Sequence, residues 1–221
     1  MTPPTPRRRW TPTNWCRRAA DPPSTRRPVF SLPVVLASAS PRRLDLLRSV
    51  GLDPEVRPAD VEERRRPGED PVAMVERLAR DKRDAVARPG ELVLAADTVV
   101  VLNGSVLGKP GNPEVATAML ERLSGRVHHV VTGVAVSGPG GSTSTAVSTE
   151  LAWRTLSDDE VAAYVATGEP LDKAGGYGIQ GGGADFVASV VGSRDNVVGL
   201  PVATALELLA SVEVADDPWR R

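Results

Sequence analysis

Four basic side chains and one acid set among apolar neighbours are the residues whose spacing points to chemistry. Ser38-Ala-Ser-Pro-Arg-Arg43 follows directly on the apolar run Leu32-Pro33-Val34-Val35-Leu36-Ala37. That junction predicts a buried strand running at once into a helix, with Ser40 as N-cap and Pro41 in the first helical position. Arg42 and Arg43 then fall in the first turn, where the helix dipole disfavours cations by up to about 1 kcal/mol. Exposed N–H groups and two guanidinium forks make an anion site, with phosphate the foremost anion. The competing reading is a capped helix whose arginines point into solvent.

Asp97 lies inside Leu92-Val-Leu-Ala-Ala-Asp-Thr-Val-Val-Val-Leu102. A carboxylate buried there costs several kcal/mol unless it is paired or bound to a metal. Either it caps the following turn, or it holds a divalent cation or takes a proton from water. Lys82 falls on the apolar stripe of Val72, Val75, Leu78, Ala79 and Val86. An inward lysine needs an anion beside it, unless its long stem snorkels to the helix edge. Lys109, between Gly108 and Pro110, is aimed by a bent loop; the alternative is a solvated loop lysine. Glu62 or Glu63 is a candidate to join Asp97 at a cation, since Mg²⁺ prefers oxygen ligands; the alternative is a solvated acidic run beside Arg64–Arg66. In the glycine-rich run 172–183, Tyr177 offers a stacking face and Gln180 a donor and an acceptor for a nucleobase edge. The alternative there is a flexible linker. Asn196 and the turn Gly192-Ser193-Arg194-Asp195 are placed at the same cleft. Adjacent His128 and His129 face opposite sides of a strand and are read as structural.

The elements that must position these groups alternate. Helices are expected over 41–50, from Asp70-Pro71 to about Ala87, after Asn112-Pro113 to Gly125, from a Ser157/Glu160 capping box to Thr167, and over 201–209. Strands are expected over 92–102, with an Asn103-Gly104 hairpin turn, and over 127–136, 143–154 and 186–191. The stretch 137–142 is expected as a hairpin loop. The sum is an α/β protein with a mixed sheet.

Of the 221 residues, 41% are apolar and 25% charged, ordinary for a soluble domain. The net charge of −1 hides an asymmetry: residues 1–31 carry seven arginines against Asp21, and the remainder is acidic. Residues 1–31 read as a disordered basic leader, 32–211 as one domain and 212–221 as a tail. An acidic body is not that of a general nucleic-acid binder, so no stable nucleic-acid complex is expected. No apolar run approaches the length of a membrane span. Cys16, the only cysteine, lies in the leader, which suits a reducing cytoplasm and leaves the body without a thiolate metal site.

Together the motifs resemble the Maf family of nucleotide pyrophosphatases. The resemblance rests on Ser38–Arg43, Ala95-Ala-Asp-Thr98, Gly108-Lys-Pro110, Leu123-Ser-Gly125, Thr132-Gly133, Asp172-Lys-Ala-Gly-Gly-Tyr-Gly-Ile-Gln-Gly181 and Asn196-Val-Val-Gly-Leu-Pro201, in order from about 32 to about 210. It implies a two-lobed fold related to the inosine triphosphatase type, with a cleft between the lobes. It implies hydrolysis of a nucleoside triphosphate to the monophosphate and pyrophosphate. Carried over by position, Asp97 is the proton acceptor, and Arg42, Thr98 and Gln180 tune substrate choice. Arg43, Lys82 and Lys109 hold phosphates beside the Ser40 helix end, and Glu63 joins Asp97 at Mg²⁺ or Mn²⁺. The intact Tyr-Gly-Ile-Gln-Gly run resembles the branch acting on dTTP and UTP. At Ser193-Arg194 the chain departs from the family, which often has Ser-Tyr. The family's association with septum formation leaves a nucleotide-binding regulator of cell division as the alternative. A homodimer stays open.

Overall fold

The computed structural model describes residues 28–213. The apolar run ends in β1 (Val34–Leu36), and α1 (Pro41–Ser49) starts after four intervening residues, closed by Gly51 in a left-handed turn at φ 85°. β2 (Glu55–Val56) follows, then α2 (Pro71–Val86), β3 (Leu92–Leu102) and β4 (Ser105–Leu107). Asn103 and Gly104 both take positive φ, as the tight β3–β4 hairpin requires. The chain continues through α3 (Pro113–Leu123), β5 (Val127–Gly138), β6 (Gly141–Trp153) and α4 (Asp158–Ala166). Three short 3₁₀ turns span the glycine-rich run before β7 (Val187–Val191), α5 (Arg194–Val198) and α6 (Val202–Glu213). Three of the four N-caps expected from sequence are made by side chains: Asp70 accepts from Val72 and Ala73 N–H, Asn112 from Val115, and Ser157 and Glu160 close a capping box; the Ser40 side chain makes no such bond.

Seven strands form one mixed sheet in the order β2-β1-β3-β5-β6-β7, with β4 on the same edge of β3 as β1. β1 runs parallel to β3; β5, β6 and β7 are antiparallel. The expected loop over 137–142 is a tighter turn. Ser137 pairs with Ser142 and Gly138 with Gly141, because both glycines let the strands run to the turn. The short β2 and α5 carry too little apolar periodicity to be foreseen.

Side chains alternate along β3 and sort into separate cores. On one face Leu92, Leu94 and Ala96 join α1 and α6 residues such as Leu47 and Leu209. On the same face Val100 and Leu102 join Leu120, Tyr164 and Tyr177. Between them stands Thr98, directly paired in register with Thr132 of β5, and their hydroxyls are 2.9 Å apart. This polar joint divides the sheet face into two lobes. The other face carries α2 through Met74, Val75, Leu78, Val99 and Val131.

Phe30 and Leu32 pack against the α1/α6 core, and Ser31 bonds the Glu213 carboxylate through N and Oγ. The body thus takes in residues at both expected boundaries, 31 and 212. The rest of the basic leader, 1–27, and of the tail, 214–221, lies outside the described residues. Among the described residues no helix is long and apolar enough to cross a membrane.

Candidate functional site

The cleft opens where β3 loses a neighbour. β1 pairs with residues 92–94 and β4 with residues 100–102 of the same edge, so residues 95–99 face no strand there. Asp97 and Thr98 sit in this gap, one on each face of the sheet. The loop after β1 and the first turn of α1 bring Ser40, Arg42 and Arg43 to one side, and the loop after β4 brings Lys109 to the other. The resulting cavity, about 200 Å³, is lined by all nine residues to which the family resemblance assigned a role, Glu63, Lys82 and Gln180 among them. A break in a strand's pairing at the carboxyl end of a parallel neighbour is a common place for ligands in α/β sheets.

Lys82 settles its own ambiguity. It is 7% exposed, as is Asp97, and its Nζ lies 2.6 Å from Asp97 Oδ1 and 2.5 Å from Glu63 Oε1. One ammonium therefore draws together a carboxylate from β3 and another from the exposed 57–70 stretch. Burial acts to raise the Glu63 carboxyl, but the Lys82 hydrogen bond and charge, with Lys109 and Arg43, outweigh it and hold the group below the usual range. Glu62 instead pairs with Arg64 in solvent.

Arg43 is tied into the polar joint. Its Nε donates to Gly199 O at 2.8 Å, Nη1 to Ser38 Oγ at 3.0 Å and Nη2 to Thr98 Oγ1 at 3.1 Å. Burial pushes this guanidinium below its ordinary value, and the charges of Asp97 and Glu63 oppose that shift. With three of five N–H groups fixed, two remain for a ligand. Arg42 makes no hydrogen bond or ion pair with the described residues. Ser40 holds the N-cap position of α1 but its side chain makes no capping bond. The first-turn amides and the Arg42 fork are thus left for an anion.

Other residues depart from expectation. Tyr177 is not a stacking platform for a base. It is 6% exposed, its hydroxyl is 2.8 Å from His128 Nε2, and its ring packs edge-on against Trp153. His128 is buried as a structural residue; burial, then the His129 charge, lowers its pKa to about 4. Asn196 lies behind the cleft, donating from Nδ2 to Val130 O and Thr149 Oγ1, both at 3.0 Å. Of its turn, only the residues that follow, 197–199, reach the lining. Arg194, where the chain departs from the family pattern, lines a different cavity with Asp185 and Ser189. Sequence reasoning missed Glu169, Asp172 and Lys173 as lining residues. Lys173 Nζ bonds Asp172 Oδ1 and Glu169 O, and the Lys173 hydrogen bond is the main cause holding Asp172 low. Asp172 and Lys173 belong to a quoted motif; the cue available was that a charged pair opening a glycine-rich turn seldom faces away from it.

Among the described residues no group of three or more His, Cys, Asp and Glu gathers as a metal cage. Two carboxylates do meet on Lys82. One or two carboxylates plus waters and substrate phosphates is the ordinary Mg²⁺ donor set. The lining carries Arg42, Arg43, Lys82, Lys109 and Lys173 against Glu63, Asp97, Glu169 and Asp172. So nearly balanced a site leaves most of a triphosphate's charge for a divalent cation to offset. The residues present fit the group.

The chain matches the sequence model of the Maf family, described as Maf-like protein, over residues 33–212. It is 56% identical over 180 residues to a protein of Anaeromyxobacter dehalogenans named dTTP/UTP pyrophosphatase, covering 80% of this chain and 92% of that one. A Moorella thermoacetica protein of the same name is 51% identical over 194 residues, covering 85% and 98%. The solved structure of the Staphylococcus aureus Ham1 protein overlays with TM-score 0.41 and 21% identity, over 55% of this chain and 71% of that one. That likeness is too slight to argue from.

Proposed function

The chain belongs to the Maf family, and we propose that it is a nucleoside triphosphate diphosphatase, hydrolysing dTTP and UTP to the monophosphate and pyrophosphate. Modified nucleotides are a further substrate class to test. One observation carries the reading: a buried acid, Asp97, held by Lys82 at the floor of a cleft whose walls present Arg42, Arg43, Lys109 and an uncapped helix end.

The substrate's phosphates lie against Arg43, Lys82 and Lys109 and the Ser40 end of α1, where fixed cations and N–H groups offset charge on the leaving pyrophosphate. Lys82 occupies Asp97 Oδ1, so Oδ2 is the oxygen that takes the proton from the attacking water. That water's oxygen bonds the α-phosphorus as the bond from it to the bridging oxygen of the β-phosphate breaks. Asp97 and Glu63 would hold Mg²⁺ or Mn²⁺, which when bound acidifies water and neutralises phosphate oxygens. Lys82 has three N–H donors; two lie on these carboxylates, and the third is left for phosphate. Gln180 and Arg42 meet the nucleoside at the mouth. Thr98 acts from beneath, as the hydroxyl on which Arg43 rests. The proposed compartment is the cytoplasm, where nucleoside triphosphates are made and used.

Pyrophosphate release from dTTP, UTP, CTP and ATP, with and without Mg²⁺, tests the reading beside Asp97→Asn. The variant is expected to bind nucleotide and to lose about 10²–10⁴-fold in turnover. Turnover of dTTP by Asp97→Asn at the parent rate refutes the assignment of Asp97. Nucleotide binding by the parent without pyrophosphate release would instead mark a nucleotide-binding regulator. A Mg²⁺-dependent rise in melting temperature, absent in Glu63→Gln, checks the metal ligands without turnover.

A further inference from the structure

Gln180 stands exposed at the tip of the turn 178–183 and its side chain makes no hydrogen bond with the described residues. Its place is therefore set by the turn's backbone. That backbone is anchored from below by two groups outside the glycine-rich run. The Tyr164 hydroxyl of α4 accepts from Gly178 N at 3.0 Å and donates to Glu169 Oε1 at 3.0 Å. Glu169 Oε2 accepts from Gly182 N at 3.1 Å. Inside the turn Gly181 N donates to Gly178 O.

The glycines show how closely this carboxylate approaches. A Cβ on Gly181 would overlap the Glu169 carboxylate, one on Gly178 would come to 2.8 Å of Glu169 Oε1, and one on Gly182 would press on the Tyr164 ring at 3.1 Å. None of these three has a positive φ. They are glycine because Glu169 and Tyr164 lie against the backbone, so the run is a packed turn rather than a flexible linker. Burial holds the Tyr164 pKa well above its ordinary value, which keeps the phenol protonated as the donor this chain of bonds needs.

We propose that Glu169, acting through Tyr164 and the Gly178 and Gly182 amides, is the positioning residue that fixes Gln180 for reading the nucleobase. The inference rests on the nucleotide reading given above and adds the residue that makes base choice possible. Phosphate binding, which falls to the α1 end, Lys82 and Lys109 across the gap, does not depend on it.

Glu169→Gln keeps the acceptor for Tyr164 but turns an amide N–H toward Gly182 N–H, so one anchor is lost. Glu169→Ala loses both, and Tyr164→Phe removes the phenol's two bonds while leaving Glu169 on Gly182. The readouts are kcat/KM for UTP and for CTP, the inhibition constant of inorganic tripolyphosphate, and the melting temperature. UTP and CTP differ where a carbonyl acceptor is replaced by an amino donor, so a fixed Gln180 amide distinguishes them. The UTP/CTP ratio is expected to fall about tenfold or more in Glu169→Ala, and less in Glu169→Gln. Inhibition by tripolyphosphate is expected to hold within about twofold. An unchanged UTP/CTP ratio, or an equal loss on both nucleotides with matching loss of tripolyphosphate inhibition, overturns the inference; Tyr164→Phe reads the same ratio if the Glu169 variants do not fold. A parent enzyme that releases no pyrophosphate from any nucleotide overturns the functional reading first.

Discussion

Replacing Lys82 by Met removes the one cation that separates Asp97 from Glu63 while keeping the length of the stem. The side chains of Lys82 and Asp97 are each 9% exposed, so the pair belongs to the buried class, in which removing one partner costs about 3–5 kcal/mol. Glu63, half exposed, can turn to water and adds little. Arg43 still faces Asp97, which puts the expected loss for Lys82→Met near the lower end, about 3 kcal/mol. For a body of this size that is a fall of roughly 6–12 °C in melting temperature. The sharper quantity is the coupling. Asp97→Asn leaves Lys82 with Glu63, and the double variant buries no unpaired charge. The double variant is expected to lose less than the sum of the singles by about 2 kcal/mol. Guanidinium unfolding of all four proteins at pH 7.5, with EDTA present so that no metal stands in for the ammonium, measures both numbers. Additivity within about 0.5 kcal/mol refutes the argument that this ion pair is what lets Asp97 remain buried.

Two further outcomes follow from the packing. His128 binds its proton only near pH 4 when folded but near 6.5 when unfolded, so stability falls as pH drops below 6.5; about 2 kcal/mol should be lost between pH 7 and pH 5, and His128→Gln should flatten that slope in urea titrations. Gly133→Ala would drive a Cβ into the backbone carbonyl of Val75 where α2 crosses β5, at an expected cost of about 3 kcal/mol, whereas Gly108→Ala meets open space and should stay within about 1 kcal/mol of the parent by the same assay.

Much of the fold was legible because its signals are local. Caps at Asp70, Asn112 and Ser157 and the Asn103-Gly104 turn are chosen by residues a few positions apart, and each formed as expected. Lys82 on an apolar stripe and Asp97 in an apolar strand announced that something must neutralise them. Tyr177 was misread because a glycine-rich run has no period to show which way a ring points; its partner, His128, is 49 residues away. Glu169 was passed over for a similar reason, since an acid three residues beyond the end of α4 looks solvated until the turn 178–183 folds back onto it.

By itself, then, the sequence determined which residue types exist to do the chemistry and which strand or helix carries each. Those choices rest on capping, alternation and burial cost, all short-range. The tertiary structure alone decided that Lys82 closes on Asp97 and Glu63, that Arg43 rests on the Thr98–Thr132 joint between two cores, and that an unpaired stretch of β3 opens between β1 and β4. Each depends on strand register and on loop closure over tens of residues, where a shift of one position turns every side chain to the opposite face.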